Sequence, residues 1–232
     1  MEKQRQEILD KIQEVFRGDA IEAHVFGSVA RDDADPYSDL DVWITFEDED
    51  ISKALTQRLE HYAQIGEVVH LCEPSQNSPV NGVHSFVLYK TPSGLLQVDF
   101  YLCPKSSSFI TKESATLFGD IRLPIGELTL NPQRTTVPDS YRIDFLITFI
   151  FIAIKKLVRK DMEALDQLFS EYANLKDRYG ITVEELVDKR NDFVSLKQVI
   201  TNIAKVANTK QKDALDEITR FIDKVEYMVP TY

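Results

Sequence analysis

His24-Val25-Phe26-Gly27-Ser28-Val29-Ala30-Arg31, followed by Ser38-Asp39-Leu40-Asp41-Val42-Trp43-Ile44-Thr45-Phe46, decides the reading of the fold. The second stretch alternates polar and apolar side chains with period 2, the mark of a half-buried strand. Asp39, Asp41 and Trp43 then project on one face, with Leu40, Val42 and Ile44 on the other, toward a core. The first stretch reads as a short strand over residues 21–26 that enters a glycine turn. Val29-Ala30-Arg31 can start a helix.

Outward from this pair, residues 2–16 carry Ile8, Ile12, Val15 and Phe16 at helical spacing, and Gly18-Asp19 ends that helix. The acidic block Glu47-Asp48-Glu49-Asp50 closes the strand and leads into a helix over 51–65. Strands are expected at 68–71, 83–89 and 95–102, the last two joined by the turn residues Thr91-Pro92-Ser93-Gly94. Residues 105–138 read as loops with short elements, broken by Pro124, Pro132 and Pro138. From residue 140 the pattern is helical, over about 140–160, 161–178, 182–205 and 210–228. Gly180 and Thr182-Val183-Glu184-Glu185 read as a stop and an N-cap. The expected fold class is therefore α+β, a small mixed-sheet domain over residues 1–137 followed by a C-terminal helical bundle over 138–232.

Composition bounds the function. At 232 residues with 43% hydrophobic and 10% aromatic side chains, the chain can bury a core. Cys72 and Cys103 are too few for a disulfide framework, which points to a reducing, cytoplasmic setting. The charged N-terminal residues show no secretory signal. The most apolar run, residues 145–154, is far short of the roughly 20 residues of a bilayer span and reads as a buried helix, so no membrane is expected. The net charge of −11 falls entirely in residues 1–130, which hold 22 acidic and 11 basic side chains; residues 131–232 hold 16 of each. An acidic surface repels a polyanion, which turns the search for a partner away from nucleic acid and toward a small or cationic one.

The residue types in the decisive stretch carry chemistry. Asp39 and Asp41, two apart on one face, can share a divalent cation of the hard, oxygen-seeking kind, Mg²⁺ or Mn²⁺. Asp99 faces away from its apolar neighbours Val98 and Phe100; on a strand beside Asp41 it makes three converging carboxylates, enough for two ions. Gly27 permits close approach of backbone to ligand, amides at a helix start attract phosphate, and the Ser28 hydroxyl can donate to it. Arg31 can neutralise phosphate charge with two donors. Trp43 either lines this site or packs beneath a loop. His24, His61, His70 and His84 lack metal-ligand spacing, and His84 reads as structural.

Gly27-Ser28-Val29-Ala30-Arg31, Ser38-Asp39-Leu40-Asp41-Val42 and Val98-Asp99-Phe100, in that order, resemble the signature of the DNA polymerase beta-like nucleotidyltransferase superfamily, across roughly residues 20–102. The resemblance implies that Asp39 and Asp41 hold two metal ions and that Asp99 completes the second site and helps activate an acceptor hydroxyl. It implies that Gly27, Ser28 and neighbouring amides hold the β- and γ-phosphates of ATP or another nucleoside triphosphate, with Arg31 in support. Residues 155–165 look like the second-domain helices of antibiotic nucleotidyltransferases acting on aminoglycosides or lincosamides, with Lys160 where those have glycine before an aspartate. This implies a small-molecule hydroxyl acceptor, Lys155 or Lys156 as a triphosphate contact, and Glu163 as an alternative to Asp99 for the acceptor base. Two other readings remain at this level. One is an antitoxin-like nucleotidyltransferase acting on protein or RNA, against which no histidine follows His84 to form a nuclease motif in the bundle. The other is a nucleotide-binding protein without catalysis, against which all three carboxylates are kept.

Overall fold

A computed structural model describes residues 2–74, 77–127, 142–166 and 193–227. The chain forms two compact units, Met1–Thr136 and Val137–Tyr232. In the first, the described elements run α1 (Glu2–Phe16), β1 (Glu22–Phe26), the single turn α2 (Gly27–Ala30), β2 (Leu40–Phe46), α3 (Ile51–Ile65), β3 (Val68–Cys72), β4 (Val83–Thr91), β5 (Gly94–Pro104) and β6 (Ala115–Phe118). The strands form one sheet in the order β3-β4-β5-β2-β1-β6. Only β2 and β5 pair in parallel; the other neighbours are antiparallel.

Period-2 alternation assigns the two faces. Leu40, Val42, Ile44 and Phe46 of β2 and Val98, Phe100 and Leu102 of β5 pack against Ile8, Leu9, Ile12 and Phe16 of α1 and Ala54, Tyr62 and Ile65 of α3. Tyr62 lies on Phe100 with ring centroids 4.6 Å apart. Its hydroxyl donates to Ser85 Oγ at 3.0 Å, which donates in turn to Glu73 Oε1 at 2.8 Å. Arg58 clamps both Glu73 oxygens at 2.6 Å, so the polar end of this core is closed by a charge-assisted fork. The β4–β5 hairpin closes where expected, with Thr91 paired to Gly94. The sheet gains a strand where only loops with short elements were expected: β6 is four residues long and joins the β1 edge across a register shift. Its place is set by that pairing rather than by its own sequence pattern.

The opposite face begins with a buried polar pair. Glu22 and His24 are 3% and 1% exposed. His24 Nδ1 lies 3.9 Å from Glu22 Oε1, and neither Nδ1 nor Glu22 Oε2 has a hydrogen-bond partner among the described residues. Burial lowers the His24 pKa to about 4 and raises that of Glu22. The imidazole is therefore neutral in the native state near pH 7. As pH falls below about 6.5 the unfolded chain binds a proton that the native chain refuses until about pH 4. Native stability is thus lost across that window, by about 3 kcal/mol. Glu22, with its raised pKa, works in the opposite direction and lessens the net slope. His24→Phe keeps a flat ring against Trp43 and removes the titrating group. Urea unfolding between pH 7 and 4 should show a shallower acid loss in this variant; equal slopes would overturn the assignment.

In the second unit, α4 (Arg142–Val158), α5 (Phe193–Ala204) and α6 (Thr209–Glu226) pack together, and residues 162–166 are also helical. The apolar run 145–154 is core, as expected: Ile147, Ala153 and Ile154 of α4 are fully buried. Asn208 caps α6 through a reciprocal pair, Gln211 N–H to Asn208 Oδ1 and Asn208 N–H to Gln211 Oε1, both at 3.0 Å. The cap read at Gly180 and Thr182 lies outside the described residues, as do the remainders of the helices expected over 161–178 and 182–205. Among the described residues no helix is long and apolar enough to cross a membrane.

Candidate active site

The register of the sheet sets two of the predicted carboxylates, Asp41 and Asp99, side by side. Phe26 of β1, Asp41 of β2, Asp99 of β5 and Phe86 of β4 lie in one row across four strands. Adjacent strands are ~4.8 Å apart, so Asp41 and Asp99 are direct neighbours on one face. Asp39 sits two residues ahead of Asp41, just before the strand begins. The next row is aromatic throughout: His24, Trp43, Tyr101 and His84. Trp43 and Tyr101 stack at 5.5 Å with only 10° between planes, and His84 lies 4.7 Å from Tyr101. Burial pushes the Tyr101 phenol well above its ordinary range, and the fields of Asp99, Asp41 and Asp39 push it further. All three carboxylates therefore bear on one phenol, which stays protonated beneath them.

Trp43 is 1% exposed. Phe109 covers it at 4.6 Å and its indole N–H donates to Ser108 Oγ at 3.2 Å. Of the two readings of Trp43, packing beneath a loop is the one realised.

Gly27 makes the turn out of β1 with φ 73°, and a Cβ there would fall on Asp41 Oδ2. The glycine is thus required twice, by its left-handed backbone and by the carboxylate against it. The turn α2 then folds over, with Arg31 N–H to Gly27 O at 3.2 Å and Asp33 N–H to Ser28 O at 3.1 Å. The first amides of such a turn have no acceptor within it, and Ser28 stands among them. Arg31, 41% exposed, is held by Asp33 Oδ2 at 3.1 Å and Glu113 Oε2 at 3.3 Å. These two hydrogen bonds raise its pKa. To grip a phosphate it has to exchange one of them.

The approach to Asp39 is fixed from beneath. Buried Arg5 of α1 donates to Asp35 O at 2.7 Å. Asp35 Oδ1 accepts from Tyr37 N at 2.8 Å and from Ser38 Oγ at 3.1 Å, a local turn that hands the chain to Asp39. Neither Arg5 nor Asp35 carried a signal in the sequence, because the bond joins residues thirty apart.

Asp99 is 8% exposed and both its oxygens are engaged. Oδ1 lies 3.1 Å from His84 Nε2, and Oδ2 accepts from Gln97 Nε2 at 2.5 Å. Among the described residues no three His, Cys, Asp or Glu side chains stand as a ready-made metal cluster. Gln97 was not singled out, although period 2 puts it on the face of Asp99 and could have flagged it. His84 carried no such signal, because only the β4–β5 register brings it there. Lys155, Lys156 and Glu163 belong to the second unit. Lys155 is buried, Lys156 lies 3.7 Å from Asp161 Oδ2, and Glu163 is exposed.

Residues 5–74 match the family model of the nucleotidyltransferase domain. The match spans Gly27, Ser28, Arg31, Asp39 and Asp41, ends before Asp99, and supports the DNA polymerase beta-like superfamily. The chain is an enzyme, a nucleotidyltransferase, and nucleoside monophosphate transfer is its general chemistry. No curated protein matches the chain.

Proposed function

We propose that this nucleotidyltransferase moves AMP from ATP to a hydroxyl of a small molecule, with aminoglycoside and lincosamide antibiotics as the first acceptor class, and releases pyrophosphate. The observation that carries the reading is the pairing of Asp41 with Asp99 on adjacent strands, with Gly27 against Asp41. The donor set fits Mg²⁺ or Mn²⁺: the three side chains offer hard carboxylate oxygens, and no thiolate is among them. Asp39 and Asp41 would hold two ions and Asp99 the second of them. Bound there, the ions would neutralise charge at the α-phosphorus and on the leaving pyrophosphate. Ser28 and the amides of α2 would hold the β- and γ-phosphates, and Arg31 would trade Asp33 or Glu113 for a phosphate oxygen. The buried, stacked aromatic row beneath the carboxylates supports a reading in which their orientation would be set before substrate arrives.

Two features support a small acceptor. The acidic excess of residues 1–130 disfavours a polynucleotide and suits a cationic aminoglycoside. Lys160 has φ 56°, the left-handed conformation glycine takes without strain. The position that departs from the antibiotic enzymes' glycine therefore keeps a backbone shape a glycine would allow, and Asp161 Oδ1 accepts from Ala164 N at 3.1 Å just beyond it.

The test is incubation with Mg²⁺, α-labelled ATP and a panel of aminoglycosides and lincosamides. Label should pass to at least one antibiotic, and EDTA should abolish transfer. Label in protein or tRNA, with none in any antibiotic, would overturn the acceptor class and favour the antitoxin-like reading. No transfer to any acceptor, together with no ATP binding, would overturn the site assignment itself.

A further inference from the structure

We propose that His84, together with Gln97, is a positioning residue that fixes the carboxylate plane of Asp99 for the second metal ion. The inference deepens the site reading above and rests on Asp99 being a ligand there. Asp99 meets one donor on each oxygen, from two different strands: His84 of β4 at 3.1 Å and Gln97 of β5 at 2.5 Å. Two hydrogen bonds at opposite ends of a carboxylate leave it no free rotation about its terminal bond. Each oxygen retains a second lone pair, so a ligand bond can form without breaking either hold.

The tautomer follows from accounting. His84 is 4% exposed, and its Nδ1 is buried without a hydrogen-bond partner among the described residues. A buried N–H with no acceptor is more costly than a buried lone pair in an aromatic setting. Nε2 therefore carries the hydrogen and donates to Asp99 Oδ1. Tyr101 holds the ring plane from the side at 4.7 Å, and the main-chain N–H of His84 donates to Ser78 Oγ at 3.2 Å, which fixes the backbone at that point. Orienting partners of this kind are worth about 10- to 100-fold in metal affinity or activity.

The experiment compares wild type, His84→Phe, His84→Gln and Gln97→Leu in the full chain. Phe keeps the ring without the donor, while Gln offers an N–H near the place of Nε2. Mn²⁺ binding is titrated by electron paramagnetic resonance in the presence of a non-hydrolysable ATP analogue. Thermal unfolding and steady-state pyrophosphate release are measured alongside. His84→Phe should weaken the second Mn²⁺ and lower kcat, each by about tenfold or more, with KM for ATP within about threefold of wild type. His84→Gln should recover most of both, and Gln97→Leu should repeat the loss in milder form. The proposal is overturned if Phe binds Mn²⁺ like wild type, or if Phe and Gln lose equally, since packing alone would do that. If His84→Phe fails to fold, Gln97→Leu and His84→Gln decide: a second Mn²⁺ unchanged in both overturns it. Wild type that binds no Mn²⁺ with the analogue overturns the ligand reading of Asp99 and this inference with it. Wild type that binds two ions with variants indistinguishable from it overturns this inference alone.

Discussion

Asp41→Asn should reduce nucleotidyl transfer by about 10³-fold or more in kcat/KM, with the melting temperature unchanged or raised. Asparagine has nearly the volume of aspartate, so the half-buried position beside Gly27 can be filled without repacking. The change removes one negative charge and turns one oxygen into an N–H₂ donor, which cannot ligate a hard cation. A loss of 10³ corresponds to about 4 kcal/mol of transition-state stabilisation, the size expected when charge stabilisation at a reacting centre is removed. Stability should respond the other way. Asp39, Asp41 and Asp99 all act on the Tyr101 phenol and so crowd negative charge into one corner of the sheet. Removing one charge relieves that crowding, and a gain in stability with a loss of function marks a site not arranged for folding. Asp10→Asn, on the outer face of α1, is the comparison and should change neither property. Asp41→Asn enzyme with more than a tenth of wild-type activity would sink the ligand role.

How far the site could be read in advance depends on how local its causes are. Asp39 and Asp41 needed only the period of one strand, and Gly27-Ser28 only the turn that follows another. The faces of β2 and β5 were equally local, so the core of Leu40, Val42, Val98 and Phe100 followed directly. The position of Asp99 was conditional on two strands pairing, and the parallel register of β2 with β5 supplies that condition. His84 lay beyond such reasoning. Histidine in an alternating strand reads as structural until the antiparallel register of β4 and β5 sets it diagonally across from Asp99. Arg31 shows the reverse limit: its charge and place were legible, but its partners Asp33 and Glu113 were not, and Glu113 is 82 residues away. Edge strand β6 was missed for a related reason, since four residues with two exposed have too little pattern to announce pairing. Local rules thus identify which residues carry chemistry, whereas their orientation by neighbours on other strands is a tertiary property.

Gly27→Ala should be the second most damaging substitution, although it adds one methyl group and removes no functional atom. With φ 73° the backbone lies in the left-handed region, where an alanine costs about 1–2 kcal/mol. The added Cβ also falls on Asp41 Oδ2, so either the turn lifts away from the sheet or the carboxylate swings off its line with Asp99. Asp41 has a short side chain rooted in a paired strand and cannot retreat as a long flexible one does. The two outcomes are separable. A lifted turn moves Ser28 and the α2 amides and should raise KM for ATP, whereas a displaced Asp41 should lower kcat. A misplacement of about 1 Å in either direction is worth roughly 10²-fold in rate. Unfolding in urea should show a loss of about 1–3 kcal/mol, the backbone strain plus part of the clash. Gly18→Ala supplies the contrast, because nothing lies within 4 Å of a Cβ there. It should leave activity intact and stability within about 0.5 kcal/mol. Gly27→Ala enzyme within threefold of wild-type activity would mean that the contact with Asp41 yields without moving the carboxylate. The glycine would then serve the backbone turn alone, and the coupling between the phosphate-side loop and the carboxylate strand would have to be given up.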